Sequence, residues 1–378
     1  MRRRHKRLAG KPQTVDFEID HIDPMGQGVS KLDGNITFIK GVLPGETGQA
    51  EVYKRAKGVR FARLKHLNTR ASNRVEPVCP HFERCPGCQY LHTEYDSELL
   101  YKREALSRHL AGLGIDSDDI EVVKAPRRLS YRNRVQLHYR HKYIGMLDSV
   151  NNEVLEIPGC RILREELQPV FDELQKGKWT GSHSGHGHCE LYYRSGQVSV
   201  EWDQDYAHGG FSQVYEEMND KLKQRVNDQI QALGVKRLLD LFSGSGNLSE
   251  GFAAAGGERV LIDSYADGKN GKPPQGFELM DLYDERALAN FMRKSTSGKF
   301  DALLLDPPRR GFPALDSWVK KIKPQHLLYI SCNPASLGRD LGNLTRRFRI
   351  KTVQMLDLFP ATSHFETLLV LEFVHPAQ

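Results

Sequence analysis

Long apolar runs and cysteines are both scarce in this chain. No apolar run approaches the ~18 residues that a membrane-spanning helix needs. The basic N-terminus passes from Leu8-Ala9-Gly10 directly into polar residues, without the apolar segment of a signal peptide. We therefore expect a cytoplasmic protein with no membrane partner, in which thiols stay reduced. In that setting the six cysteines are ligands, nucleophiles or core residues before they are disulfides.

Acidic residues are scarce in two segments, although the net charge of the whole chain is only +6. Residues 1–75 carry 16 Lys and Arg against 7 Asp and Glu, and residues 124–142 carry 7 basic side chains and no acid. Such clustering is typical of proteins that bind a polyanion, above all a nucleic acid. The alternative for the first eleven residues is a solvated tail.

The length of 378 residues predicts more than one domain. After a basic tail at 1–13, residues 14–68 show short alternating runs separated by turn signals, which predict a small barrel of the oligonucleotide-binding kind. An SH3-like interaction barrel is the alternative. Six basic residues of this region could follow a phosphate backbone: Lys54, Arg55, Lys57, Arg60, Arg63 and Lys65.

Residues 75–212 form a second region that reads as mostly β after a cysteine-containing loop. A helix is predicted over 93–113, where it could pack on the C-terminal domain, with Gly114 as its stop. Residues 181–189 contain His183, His186 and His188 beside a cysteine, as metal-binding tracts do. Because small flexible residues surround them, we favour a solvated loop.

Residues 213–378 alternate between helix and strand, which predicts a doubly wound α/β sheet of about seven strands. The strand ending at Phe242 runs into Ser243-Gly244-Ser245-Gly246, and a helix begins at Asn247. Glycines admit a ligand close to the backbone, and a helix N-terminus offers free N–H groups. A dinucleotide fingerprint would need glycine at Ser249, so S-adenosylmethionine fits at least as well as NAD.

Three further positions stand at strand ends of this sheet. Asp306 is followed by two prolines and Arg309, which make a rigid turn. Cys332 follows an apolar strand in Ser331-Cys332-Asn333-Pro334, where a parallel sheet places reactive groups. Glu366 precedes the last apolar run and could be a general base or an ordinary acid at a strand start.

Four other cysteines have metal-ligand spacing. Cys79, Cys85 and Cys88 lie in a loop bent by Pro80, Pro86 and Gly87, and Cys160 could supply a fourth thiolate. Four thiolates suit either tetrahedral zinc or an iron–sulfur cluster.

Taken together, these residues resemble the RNA uracil-C5-methyltransferases, which form 5-methyluridine, and most closely the iron–sulfur-containing branch that modifies 23S ribosomal RNA. The runs at 331–334, 306–309 and 359–366 match family motifs in the expected order. The resemblance implies an N-terminal TRAM barrel, a central domain with a [4Fe–4S] cluster on the four cysteines, and a class I, Rossmann-like methyltransferase domain.

The resemblance also implies roles for single residues. Cys332 would attack C6 of the uracil, and Glu366 would remove the proton from C5. The pocket for S-adenosylmethionine would be lined by six residues: Gln213, Phe242, Asn247, Asp263, Asp281 and Asp306. The target uridine would be single-stranded or flipped out of its stack.

This chain departs from the family pattern at several positions. Ser243 stands where many members have Cys, Asp263 where Glu is usual, and Asp281 where the ribosomal branch often has Asn. The segment from Ser264 to Phe277 is short and rich in Gly, Lys and Pro, which predicts a loop in place of the usual helix.

The leading hypothesis is therefore a monomeric RNA methyltransferase acting on 23S rRNA, with tRNA as the alternative substrate. A second hypothesis is a non-catalytic iron–sulfur RNA-binding protein with a degenerate cofactor pocket. A nicotinamide-dependent oxidoreductase is a third, but it explains neither Cys332 nor the basic barrel.

Overall fold

The computed structural model describes residues 13–148, 151–177, 179, 185–204, 213–265, 273–294, 298–342, 344 and 347–374. The chain forms two compact units. The first is built from the ranges Met1–Ala105, Arg127–His208 and Phe359–His364, and the second from Leu106–Pro126, Gly209–Leu358 and Phe365–Gln378.

The N-terminal part of the first unit is a small β structure with its own core. Its strands are β1 (Gln13–Glu18), β2 (His21–Ile22), β3 (Gln27–Ser30), β4 (Thr37–Lys40), β5 (Thr47–Ala56) and β6 (Val59–Thr69). They form one sheet in the order β1-β5-β6-β4-β3-β2. Alternate side chains point inward, as the period of a strand requires, and pack into a core of Val15, Phe17, Ile19, Ile39, Val42, Ala50, Val52 and Ala62.

Helix α1 (Tyr95–Leu110) links this part to strand β7 (Ile120–Val123). Acidic Asp96 and Glu98 lie in its first turn and basic Arg108 in its last, as the helix dipole favours. The predicted stop is confirmed, because Gly114 adopts φ of +74° after a short 3₁₀ turn.

The remainder of the first unit is a five-stranded antiparallel sheet with one packed helix. It contains β8 (Arg134–Arg140), β9 (Tyr143–Leu147), β10 (Val154–Leu155), α2 (Gln168–Gln175), β11 (His186–Arg194) and β12 (Gln197–Trp202), in the sheet order β10-β9-β8-β11-β12. His186, His188 and Cys189 lie in β11, so the predicted solvated loop is wrong for them: the alternation of the strand extends into the histidine tract. His183 lies outside the described residues.

The second unit contains an eight-stranded sheet flanked by helices. Its further elements are α3 (Glu216–Ala232), β13 (Arg237–Leu241), α4 (Glu250–Ala254), β14 (Glu258–Asp263), β15 (Phe277–Leu279), α5 (Ala287–Lys294), β16 (Ala302–Leu305), α6 (Leu315–Ile322), β17 (His326–Ser331), α7 (Pro334–Leu341), β18 (Phe348–Leu356) and β19 (Glu366–Phe373). The sheet order is β15-β14-β13-β16-β17-β19-β18-β7.

Two features of this sheet position the candidate site. The strand order reverses between β13 and β16, and a ligand crevice forms at the carboxyl ends of the strands at such a point. Strand β19 is antiparallel to both β17 and β18, between which it lies. The predicted fold class, a doubly wound α/β domain with a small β domain and a mostly β middle region, is confirmed.

Among the described residues, none of the helices combines the length and the apolar character that crossing a bilayer requires.

Candidate active site

Cys332 and Glu366 are brought together by strand pairing. Ser331, the last residue of β17, pairs with Thr367 of β19. Because the two strands are antiparallel, the residue after Ser331 and the residue before Thr367 lie side by side at one sheet edge. The Cys332 side chain is half-buried, and Glu366 is only 4% exposed. Its Oε2 has no hydrogen-bond partner among the described residues, so this oxygen can accept a proton.

The turn that carries Cys332 is held by its neighbours. Ser331 Oγ accepts a hydrogen bond from the Asn333 N–H at 3.1 Å. Asn333 Oδ1 then caps α7 by accepting from the Ala335 N–H at 3.2 Å, and Pro334 occupies the first helical turn, where no N–H is needed. The Ser-Cys-Asn-Pro run therefore has a structural explanation at every position except the thiol.

The turn that follows Asp306 is bonded to the turn that carries Cys332. Asn333 Nδ2 donates to the Arg309 carbonyl at 2.7 Å. The same turn ends at Gly311 (φ +73°), where a Cβ atom would lie 2.3 Å from an Asp340 oxygen, so only glycine fits. Asp306 is half-buried at the carboxyl end of β16. The two turns thus present Asp306, Arg309 and Cys332 from one rigid frame.

Carboxyl groups are concentrated at this edge. Burial, followed by the nearby negative charge of Asp263, raises the pKa of Asp306 to about 7. Burial and then the charge of Asp306 raise the pKa of Glu366 well above its ordinary value, against a smaller opposing effect of Arg309. A carboxyl group with a raised pKa is suited to receive a proton.

The Cys332 thiol responds to the same charges. Burial, followed by the charges of Glu366 and Asp306, raises its pKa to about 12, and Arg309 opposes this rise. A thiol must ionise to act as a nucleophile. A cation held among these carboxyl groups would lower the thiol pKa, because it would offset their repulsion.

The glycine-rich turn lies at the end of β13 on the same edge. Gly244 and Gly246 have φ of +51° and +77°, backbone states that favour glycine. The Gly244 N–H donates to Asp263 Oδ2 at 2.8 Å. Asp263, at the end of β14, therefore braces the turn from the next strand.

A buried acid supports this turn from inside. Asp240 in β13 is 2% exposed and accepts from Ser249 Oγ at 2.6 Å. Arg259 Nη1 donates to Ser249 Oγ at 2.8 Å and to the Gly246 carbonyl at 2.9 Å. Burial raises the pKa of Asp240 to about 7. Serine thus stands at the third position of a dinucleotide fingerprint because its hydroxyl joins Asp240 to Arg259, which in turn binds the glycine-rich turn.

The other predicted pocket residues are spread around this turn. The Phe242 ring (φ +58° at this residue) packs against Tyr283 and Phe312 at centroid distances of 5.5 and 5.0 Å. Asn247 exchanges side-chain hydrogen bonds with Asn219 of α3. Asp281 is exposed and accepts from the Tyr283 N–H at 2.9 Å.

Gln213 is partly buried just before α3. Of the segment predicted to be a loop, Ser264, Tyr265 and residues 273–276 are non-helical, and 266–272 lie outside the described residues. The structure thus groups Cys332, Glu366, Asp306 and Asp263 electrostatically, whereas Asn247 and Asp281 have local partners of their own.

Sequence reasoning missed Asp240, Tyr283 and the charge effect of Arg309. Asp240 interrupts an apolar strand run, Leu238 to Leu241, and a buried acid in such a run indicates a specific partner. Tyr283 carries no such signal, because an aromatic residue in a loop is common.

The four upstream cysteines, in the first unit, all line one cavity of about 750 Å³. Cys85 Sγ accepts from the Gly87 N–H at 3.4 Å, and burial raises the pKa of Cys85 to about 11. His81 Nε2 lies 3.1 Å from the Pro158 carbonyl and holds the two cysteine segments together. No group of three or more His, Cys, Asp or Glu side chains within the part of the chain described has the geometry of a metal site.

The same cavity is lined by Lys40, Tyr53, Lys54 and Phe61 of the N-terminal sheet. Phe38 and Phe61 stack with centroids 5.4 Å apart, and Lys54 Nζ lies 5.3 Å from the Phe61 centroid. Lys40 and Lys54 are exposed. Arg60, in contrast, is 5% exposed and pairs with Asp33 at 2.6 Å, so its predicted role as a phosphate contact is wrong: it faces inward by strand alternation.

Comparison with known proteins agrees with this geometry. The family model described as tRNA (Uracil-5-)-methyltransferase matches residues 286–374, which include Asp306, Cys332 and Glu366. A protein of Shewanella woodyi named 23S rRNA (uracil(1939)-C(5))-methyltransferase RlmD is 27% identical over 435 aligned positions, covering 97% of each chain. The chain is thus similar to RNA uracil-C5-methyltransferases along nearly its whole length, and residues 286–374 match the family model.

Two other proteins show the same similarity. A protein of the same name from Shewanella sediminis is 26% identical over 432 aligned positions, again covering 97% of each chain. The solved structure of Pyrococcus abyssi tRNA (uracil-54, C5)-methyltransferase in complex with S-adenosyl-L-homocysteine is 21% identical, covers 94% of this chain and 99% of its own, and has a TM-score of 0.70. That likeness shows the fold.

The first prediction concerns the charge at Cys332. Asp306→Asn should speed alkylation of Cys332 by iodoacetamide at mildly alkaline pH by about two- to tenfold, since ionised Asp306 raises the thiol pKa. Peptide mass spectrometry would follow Cys332 separately from the other cysteines. Asp220→Asn, an exposed site on α3, is the matched control. Equal rates in Asp306→Asn and the parent protein would contradict the charge effect.

Proposed function

We propose that this protein transfers a methyl group from S-adenosylmethionine to C5 of a uridine in RNA. One observation carries the proposal: the thiol of Cys332 and the carboxyl group of Glu366, whose Oε2 has no partner in the described part of the chain, stand side by side at the carboxyl edge of the sheet. Methylation at C5 needs a nucleophile for C6 and a base for the C5 proton. The similarity to RNA uracil-C5-methyltransferases supports the same proposal.

The residues of the β13 edge fit S-adenosylmethionine. The positive φ values of Gly244 and Gly246 leave room for a nucleoside close to the backbone, and Asp263 at the end of β14 would accept hydrogen bonds from ribose hydroxyls. Phe242, Asn247, Gln213 and Asp281 would complete the pocket around the adenosine and the methionine, with Asp306 beside them. When bound, S-adenosylmethionine supplies an electrophilic methyl group on a positively charged sulfur.

Cys332 would activate the uracil ring for methylation. Its thiolate Sγ forms a bond to C6 of uracil, and the electrons of the C5–C6 double bond move onto C5 and the C4 carbonyl. C5 becomes an enolate-like nucleophile that can take a methyl group, so one difficult step becomes two easier ones. Asn333 and Ser331 hold the thiol in place through the turn.

Glu366 would complete the reaction. Its Oε2 removes the remaining proton from C5, the C5–C6 double bond re-forms, and the C6–Sγ bond breaks to return the Cys332 thiolate. The raised pKa of Glu366 makes it a stronger base than an exposed carboxylate.

We propose 23S rRNA as the RNA substrate, because relatives that cover 97% of this chain carry that name. The solved structure with the same fold is a tRNA methyltransferase, which makes tRNA the alternative. In either RNA the target uridine would have to leave its stack to reach the thiol.

The second prediction tests the chemical step. Cys332→Ala should abolish formation of 5-methyluridine in 23S rRNA. Glu366→Gln should lower turnover by about 10²- to 10⁴-fold, the usual contribution of a general base, and should accumulate a methylated protein–RNA adduct on a denaturing gel. Labelled S-adenosylmethionine and nucleoside mass spectrometry provide the measurement.

Glu258→Gln is the matched control, since Glu258 begins β14 at the opposite sheet edge and is exposed. Full activity in Cys332→Ala would show that no thiolate adduct lies on the pathway. Tight RNA binding by the parent protein without any product would favour the non-catalytic RNA-binding alternative.

We propose that the exposed face of β4, β5 and β6 contacts the RNA. Phe38 and Phe61 offer a stacking surface for an unpaired base, and Lys40 and Lys54 beside them suit phosphates. Phe38, Lys40 and Phe61 point away from the core of their sheet because they alternate with buried residues. Lys54 is exposed after a register shift in β5.

The third prediction follows from that surface. The double variant Lys40→Gln/Lys54→Gln should weaken RNA binding and lower the slope of log affinity against log salt by about 1 for each phosphate that is no longer neutralised. Filter binding over a salt series gives the slope. Lys236→Gln, exposed just before β13, is the control, and an unchanged slope in the double variant would exclude these lysines from the interface.

We propose that Cys79, Cys85, Cys88 and Cys160 hold a [4Fe–4S] cluster. The support is their convergence on one cavity and the N–H donors to sulfur, from Gly87 to Cys85 and from Ile162 and Leu163 to Cys160, which stabilise thiolate ligands. The cluster would cross-link the loop at 79–88 to the segment around Cys160.

The fourth prediction concerns metal content. Anaerobically purified protein should contain about four iron and four acid-labile sulfide atoms per chain, and Cys88→Ser should lose most of both. Cys332→Ala should retain them, since Cys332 lies in the other unit. If the protein contained zinc instead of iron, and no sulfide, the cluster would be ruled out in favour of a zinc site with four thiolate ligands.

A further inference from the structure

The segment Phe359–His364, which leads to Glu366, is held by side chains from distant parts of the chain. The Ala361 N–H donates to Glu98 Oε1 at 2.7 Å. The Ala361 carbonyl accepts from the backbone N–H groups of Gln89 and Tyr90 at 2.8 and 3.0 Å. Both polar groups of one buried residue are thus bonded to residues more than 250 positions earlier.

The neighbouring residues of the segment are held in the same way. The Pro360 carbonyl accepts from Tyr131 Oη at 2.9 Å, and the Phe359 carbonyl accepts from Lys102 Nζ at 3.3 Å. The Ser363 N–H donates to Gln89 Oε1 at 2.9 Å. Every residue from 359 to 361, and Ser363, therefore has a backbone group bound from outside the segment.

The backbone at Ala361 has a conformation that needs such support. Ala361 has φ of +66° and is completely buried. A non-glycine residue in this region is strained and persists where the surroundings over-determine it. The bonds to Glu98, Gln89 and Tyr90 supply that constraint.

Glu98 is a buried, charged residue, which is unusual for a residue that only stabilises the fold. It is completely buried with Lys102, their charged atoms 2.7 Å apart, and Arg128 Nη2 lies 2.8 Å from its other oxygen. A buried ion pair is weak support for stability, because desolvation offsets its attraction. The fixed geometry of the Glu98 carboxylate is better explained by its hydrogen bond to the Ala361 N–H, which holds the backbone there in place.

We propose that Glu98 and Gln89 are positioning residues that set the place of the catalytic base Glu366 through the backbone of Phe359–His364. The inference rests on the proposed methyl transfer, in which Glu366 removes the C5 proton. Glu366 is two residues beyond His364, and no described residue forms a hydrogen bond with its Oε2. Its position then depends on the backbone that precedes it as well as on β19.

The position of a base matters in one step more than in the others. Attack by Cys332 and methyl transfer need no base at Glu366, whereas proton removal from C5 does. A displaced Glu366 would therefore slow the last step alone, and the methylated covalent adduct would accumulate. Loss of folding or of RNA binding would lower adduct and product together.

The fifth prediction uses Gln89, which is partly buried and less costly to change than Glu98. Gln89→Met keeps the length of the side chain but removes the acceptor for the Ser363 N–H. We expect turnover to fall by about tenfold or more while the fraction of protein in methylated RNA adduct rises. Gln89→Glu retains the acceptor oxygen and should restore turnover towards the parent value.

Two further measurements complete the test. Hydrogen exchange of the peptide spanning 359–366 should be faster in Gln89→Met than in the parent protein. Gln49→Met is the control, because it makes the same replacement at a side chain that bonds Asp16 in the N-terminal sheet. It should change neither the hydrogen exchange of the 359–366 peptide nor the level of adduct.

The inference is overturned if Gln89→Met has normal turnover, or if its turnover falls without any rise in adduct. Failure of the proposed function has a different signature, since the parent protein itself would then form neither 5-methyluridine nor an adduct. In that case this inference falls with it.

Discussion

The candidate site depends on one strand pairing, the insertion of β19 between β17 and β18. Were β19 parallel to its neighbours, Glu366 would lie at the amino edge of the sheet, a strand length away from Cys332. The antiparallel direction brings the beginning of the last strand beside the end of β17. Residues 34 positions apart in sequence thereby form one thiol–carboxyl pair, and neither belongs to a flexible loop tip.

This strand pairing brings carboxyl groups together at a buried edge of the sheet, although burial disfavours their negative charge. Asp306, whose own pKa is raised, shares this edge with Glu366 and Cys332. The charge of Asp306 raises the pKa of Glu366, and both charges raise the pKa of the Cys332 thiol, while Arg309 opposes only part of these two rises. Such an edge is complementary to a cation. The sulfonium group of S-adenosylmethionine carries one positive charge, so a site that disfavours the thiolate when empty becomes more favourable to it once that charge is nearby.

Much of the catalytic sheet could be predicted from the sequence. The apolar run at 326–331 predicts β17 with its observed bounds, because a strand buried on both faces has a continuous apolar pattern. The strands β14, β16 and β19 and helix α3 are within a few residues of expectation. The position of Cys332 and Asp306 at strand ends follows from the same pattern.

Other features could not be predicted, for definite physical reasons. Strand β7 pairs with β18, more than 200 positions later, and no local pattern signals such a partner. Strand β2 has only two residues. The inward turn of Arg60 depends on strand register, which a run of basic residues does not reveal. The bonds around Ala361 are equally non-local: a Gln and a Glu far upstream have no sequence mark that links them to a Phe-Pro-Ala segment.

Ser249 shows how a supporting contact can restrict the evolution of a binding site. A single replacement by glycine would complete a dinucleotide fingerprint in this chain. The same replacement would remove the donor to buried Asp240 and the acceptor of Arg259, leaving an acid without its partner at the centre of the sheet. A change of cofactor from S-adenosylmethionine to a nicotinamide through this single replacement would thus pass through a less stable protein.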